Sequence, residues 1–118
     1  MRRDMDLIRA IILAARECPD LLTGMDGVPS EMFAYHVQIM EEAGFVKAKL
    51  IPNGDKRKSV SATLYRLTCD GQDFADSITD ETIWKRAKET VIKPSASWTF
   101  DILKAYLKAE IARHIPGI

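Results

Sequence analysis

Apolar residues return every three or four positions over residues 4–17, where Leu7, Ile8, Ile11, Ile12 and Ala15 mark one face. That spacing predicts a helix with Asp4 as its N-cap. Pro19 stops it, and Pro19, Gly24, Gly27 and Pro29 make residues 19–29 a loop with room for one helical turn at most. A second helix is expected from Ser30, a good capping residue, to the natural terminator Gly44. The period then changes to two. Over residues 45–51, Lys47 and Lys49 fall on one side and Val46, Ala48 and Leu50 on the other, which is a strand pattern. Pro52-Asn53-Gly54-Asp55 turns the chain and Val60–Leu67 returns it, completing a β-hairpin. Helical signals resume with Thr68 capping a short helix through about Ile78 and Asp80 capping another to about Val91. Pro94 breaks the pattern, and Ser97 or Thr99 opens a last helix reaching about Ile115.

Helix, loop, helix, hairpin and helix is the order of a winged-helix module with the hairpin as its wing. The expected fold class is therefore α+β, mainly helical: a winged-helix-like module with one hairpin wing and C-terminal helices. With no repeat, low-complexity tract or linker, residues 1–118 are read as a single domain. Its winged-helix-like part covers 1–78 and its C-terminal helical part 79–118.

Projected at 100° per residue, Ile39, Met32, Ala43, His36, Met40, Phe33 and Val37 fall within an arc of about 160°. The other side carries Glu31, Glu41, Glu42, Gln38, Tyr35 and Ala34. His36 thus lies mid-arc, where a core histidine bonded to a backbone carbonyl is expected over a ligand or general base. The last helix shows two stripes: Phe100, Leu103, Leu107, Ile111 and His114, then Trp98, Ile102, Tyr106 and Ala109. One core needs one stripe, so the second calls for another surface. That surface is either the 80–91 helix, with Ile83, Trp84, Ala87 and Val91, or a second subunit.

Composition bounds the class. The 118 residues are 47% hydrophobic, too many for a disordered chain and ordinary for one globular domain. No apolar run approaches the ~20 residues of a membrane span, and the first residues lack a signal-peptide core, so a cytoplasmic, non-membrane protein is expected. Cys18 and Cys69 are too few for a disulfide scaffold. Seventeen basic and seventeen acidic side chains balance, which removes the argument for nucleic-acid binding from a strongly basic domain.

The distribution of charge matters more than its sum. Residues 17–46 hold Glu17, Asp20, Asp26, Glu31, Glu41 and Glu42 and no Lys or Arg. Such a surface is repelled by the phosphates flanking a major groove, so groove reading by the second helix is disfavoured. The hairpin has the opposite sign: Lys47, Lys49, Lys56, Arg57 and Lys58 stand against Asp55. These five, with Arg2 and Arg3, are the candidate nucleic-acid contacts, a wing lying along a phosphate backbone. The bland alternative is a solubilising turn whose lysines guard an edge strand. Candidate protein contacts are Glu31, Tyr35, Gln38, Glu41 and Glu42 on the second helix and Trp98, Ile102 and Tyr106 on the last.

Catalytic and cofactor signals are missing. The cysteines form no CxxC, His36 and His114 add no zinc spacing, and Gly24 and Gly27 lack the lysine and hydroxyl of a phosphate loop. Asp70, Asp73, Asp76, Asp80 and Glu81 suit helix starts better than acid–base work. Neither an enzyme nor a cofactor or metal is expected.

Four stretches, MRRDMDLIRAIILAARE, AYHVQIMEEAGFV, YRLTCDGQDFADSITDETIWKRAKE and WTFDILKAYLKAEI, together resemble the domain of unknown function 2513 family, in order and over almost the whole chain. The third departs at Cys69, where tryptophan is common. The resemblance implies a winged-helix-like fold and the small, prophage-borne proteins of bacterial mobile elements; it carries over no catalytic residue. The expected function is a non-enzymatic, regulatory binding module of a mobile element, taking DNA through the basic wing. The alternative is a protein-interaction module acting on a host or phage protein, with groove reading lost. A homodimer through the C-terminal helix is compatible with either.

Overall fold

The Asp4 carboxylate accepts a hydrogen bond from the Leu7 amide (3.1 Å) and starts α1, Met5–Glu17. The computed structural model describes residues 2–18, 20–52, 59–93 and 98–113, and these form a mainly helical α+β fold with one antiparallel hairpin. Met5, Ile8, Ile11 and Ile12 give α1 its buried stripe. Among the described residues, the loop after it holds no helix. Instead Leu22 runs antiparallel to Leu64, each amide donating to the other's carbonyl (3.0 and 2.8 Å), before a turn at Met25–Val28 in which Gly27 takes φ +77°. One bridging residue thus occupies the stretch where a winged-helix module usually places another helix.

The second helix, α2, spans Ser30–Glu42. Its N-cap is Pro29 and not Ser30, which is the first helical residue. Proline's pre-set φ (−58°) lets its carbonyl accept the first bond, from the Phe33 amide (2.9 Å), without a side-chain cap. Gly44, at φ +84°, ends the helix, with the Phe45 amide closing back on the Met40 carbonyl (2.9 Å). The chain can then enter β1, Val46–Pro52, which pairs with β2, Ser59–Leu67. The Thr68 hydroxyl accepts from the Gly71 amide (3.0 Å), starting α3, Cys69–Ser77. Cys69 itself is a free, exposed cysteine.

Two compact units result, Met1–Ala75 and Asp76–Ile118, dividing within the last turn of α3. In the first, α2 lies against both strands and α1 against α2 and β2. Phe33, Ala34, Val37 and Met40 meet Val46, Ala62, Leu64 and Leu67, while Phe45 and Phe74 stack with centroids 4.6 Å apart. Each of the Val, Leu, Met and Phe side chains contributes about 1.5–3 kcal/mol on burial, the alanine methyls less.

In the second unit, Asp80 accepts from the Ile83 amide (2.9 Å) at the start of α4, Glu81–Ala87, which continues as a π-helical turn over Lys88–Ile92. The last helix, α5, spans Phe100–Arg113, and the Thr99 hydroxyl accepts from the Ile102 amide (3.2 Å); Ser97, the other expected opening, lies outside the described residues. The expectation for the stripes of α5 needs correction. Leu103, Leu107 and Glu110 are buried against α4 and its π-turn, whereas Phe100 and Ile111 are only half-buried; His114 lies outside the described residues. The carboxylate enters the apolar stripe because Arg86 (3.7 Å) and Arg113 meet it there from solvent-exposed positions. Trp98 and Tyr106 are half-buried, while Ile102 and Ala109 are exposed.

Candidate nucleic-acid interface

The outer face of the hairpin carries three described cations, Lys47, Lys49 and Arg66. Alternation places Val46 inward and Lys47 and Lys49 outward on β1, as the sequence predicts, and both lysines are exposed. The returning strand breaks alternation. Lys47 pairs with Arg66 and Ala48 with Leu64, so Tyr65 is the extra residue of a β-bulge. Leu64 and Leu67 remain buried, and Tyr65 and Arg66 both emerge on the outer side. Neither was found from the sequence. The signal was present, since the inward residues Leu64 and Leu67 are three apart, a spacing that regular alternation cannot place on one face.

Lys47 and Arg66 therefore stand directly opposite one another, with Lys49 two residues along the same face. Like charges opposed across a ladder are destabilising. Neither strand carries a carboxylate, and among the described residues no carboxylate pairs with Lys47 or Lys49. The Arg66 guanidinium donates to the Leu67 carbonyl (3.1 Å), which holds it along the strand. Beside the bulge, Glu41, Gly44, Val46, Lys47, Ala48, Tyr65 and Thr68 line an open cleft of about 420 Å³.

The outward side of α2 is acidic as expected. Glu31 and Glu42 are exposed, Tyr35, Gln38 and Glu41 are half-buried, and the Gln38 amide donates to Glu42 (3.3 Å). The buried arc itself is turned about 60° from the sequence projection. It runs from His36 through Met40, Phe33 and Val37 to Ala34, leaving Met32, Ile39 and Ala43 half-buried. Ala34 was placed on the outer side, but its single methyl fits fully buried where α2 lies against the hairpin.

At the edge of that arc, His36 is still only 1% exposed. Its Nε2 accepts from the Asp4 amide (2.9 Å), which can only donate, so Nδ1 carries the proton and donates to the Met32 carbonyl (2.8 Å). Both ring nitrogens are thus spent on backbone. The ring is a clamp between the start of α1 and α2, not a ligand or base.

Of the other candidates, Arg2 and Arg3 are exposed just before α1, tethered toward α2 by the Asp4–His36 bond. Lys56, Arg57 and Lys58 lie outside the described residues. Trp98 meets Phe100 edge-on (5.6 Å), and Ile102 is 50% exposed. Among the described residues no three His, Cys, Asp or Glu are grouped to hold a metal ion, and no helix is long and apolar enough to cross a membrane.

Helix, bridge, helix and hairpin, followed by further helices, define a small winged-helix-like protein with a basic outer hairpin face and an acidic second helix. A family model described as "Hypothetical protein (DUF2513)" matches residues 2–97, and the chain belongs to that family. A curated relative, an uncharacterized protein of Haemophilus influenzae, is 30% identical over 121 residues, covering 96% of this chain and 98% of its own length. No solved structure matches significantly.

Proposed function

We propose that this protein acts by binding and has no catalytic role, and that it takes DNA through phosphate contacts on the outer face of the hairpin. The supporting observation is the opposed Lys47–Arg66 pair with Lys49 beside it, on two strands that carry no carboxylate. A surface that only needed solubility is better served by mixed signs; a row of cations suits a polyanion. The acidic α2 packs the core on one side and stays out of the groove on the other. A regulatory role on mobile-element DNA is part of the same proposal.

Salt titration tests it. Lys47→Ala, Lys49→Ala and Arg66→Ala are each expected to weaken binding to labelled DNA and to lower the slope of log affinity against log salt by about 1. Failure to retain any strand, single or double, at ~50 mM salt removes the proposal, because that condition flatters electrostatic binding.

A second reading is favoured by one observation, the half-exposed Ile102 on α5, with Tyr106 one turn further along the helix and Trp98 just before its start. There the protein pairs with itself or with another protein. Light scattering is expected to give twice the 13.3 kDa chain mass, falling to one chain for Ile102→Asp. A monomer at high concentration removes self-pairing.

A further inference from the structure

We infer that the cleft at the β-bulge receives one unpaired base of a single strand, and that guanine is the base it fits. This rests on the hairpin being a phosphate-binding face and adds what that face reads. Phosphate contact alone needs only cations, yet the bulge turns an aromatic ring out among them. Tyr65 is 46% exposed on the outer face, next to Arg66 in the chain and sharing the cleft with Lys47. Among the described residues its hydroxyl has no partner. In a duplex the base faces are covered by their neighbours, so such a ring gains nothing. Against an unpaired base it offers a stacking surface, and flanking cations hold the adjoining phosphates.

The rest of the lining sharpens the assignment. A volume of about 420 Å³ lies within the range of small-ligand clefts and admits a nucleobase with part of its sugar. Val46, Ala48 and Gly44 make part of its wall apolar and low. Thr68 contributes little, since its hydroxyl already donates to the Gly44 carbonyl and accepts from Gly71. Glu41 is the remaining polar group. A carboxylate repels phosphate but accepts from base N–H groups. Guanine alone presents two parallel donors, N1–H and N2–H, to the two oxygens of one carboxylate, whereas cytosine and adenine present a single amino group and thymine one imino N–H. Ring, cation and carboxylate thus suit the face, phosphate and edge of one nucleotide.

Fluorescence anisotropy with three probes tests this: a short oligothymidylate, the same strand with one central guanine, and a duplex of that strand. At ~50 mM salt the single strands should bind at least ~10-fold tighter than the duplex, the guanine strand most tightly. Tyr65→Ala should cost single-strand affinity roughly 5- to 150-fold, the fold-change of one lost stack, with the salt slope unchanged and Tyr65→Phe near wild type. Glu41→Gln should erase only the preference for guanine. Duplex binding as tight as single-strand binding, or indifference to Tyr65→Ala, overturns the inference and leaves the phosphate proposal standing. Binding to none of the probes overturns both.

Discussion

Gly71→Ala is expected to lower stability by about 3 kcal/mol or more. A Cβ on Gly71 would sit 1.9 Å from the Phe45 carbonyl oxygen and 2.8 Å from its carbonyl carbon. Both are backbone atoms, and they are pinned. The Phe45 carbonyl accepts from the Thr68 amide (2.9 Å), and the Phe45 ring is stacked on Phe74. The clash can be relieved only by moving α3 off the end of α2, which pulls Phe74 and Ala75 out of the core. Alanine's advantage over glycine within a helix is about 1 kcal/mol and does not offset this. At roughly 4–8 °C per kcal/mol, Tm should fall by about 12 °C or more. Gly24→Ala is the control, since nothing lies within 4 Å of a Cβ there. A Gly71→Ala protein that melts with the wild type would show that the α3 contact is not close.

The second large effect is expected for His36→Leu, at about 2–4 kcal/mol. Leucine fills most of the space but neither accepts from the Asp4 amide nor donates to the Met32 carbonyl. A donor left without a partner in a part-buried site costs about 1–3 kcal/mol, and imperfect packing of a branched chain where a flat ring lay adds to it. The loss falls at the N-cap residue of α1, so the first turn of that helix should fray before the rest. Urea unfolding measures the total, and amide exchange at Asp4 and Leu7 locates it. Unchanged stability with the Asp4 amide still protected would falsify the clamp.

Both effects depend on contacts between segments far apart in the chain, and the sequence reveals such contacts unevenly. His36 was legible. A lone histidine within an apolar helical arc implied a buried ring bonded to a carbonyl, although Asp4 as its second partner was not foreseeable. Gly71 was not legible, because a glycine inside a short helix reads the same whether or not a backbone crosses it. The caps at Asp4, Thr68 and Asp80 were read correctly, and Thr99 was one of the two openings expected for the last helix, because each needs only a side chain and an amide three residues on. Ser30 was misread as a cap because Pro29 satisfies the first turn by backbone geometry alone.

The candidate site divides in the same way. Lys47 and Lys49 followed from alternation on β1. Tyr65 and Arg66 required the bulge, which arises when the two strands pair and is not a property of either alone. On α2, the outward carboxylates were evident, but the 60° turn of the buried arc depends on where the hairpin lies. On α5, periodicity put Ile111 in the main stripe; Glu110 took the buried place because Arg86 and Arg113 reach its carboxylate.

By itself, then, the sequence determined the order of helices and strands, the side-chain caps at Asp4, Thr68 and Asp80, and the segregation of acid onto α2 and base onto the hairpin. These are set by neighbours within a turn or two, where period and side-chain chemistry suffice. Only the tertiary structure decided that Lys47 faces Arg66, that Tyr65 stands out beside Glu41's cleft, and that α3 must cross Phe45 at a residue without a side chain. Such features depend on register and close approach between distant segments, and shifts of one residue or one ångström, which leave every local pattern unchanged, alter them completely.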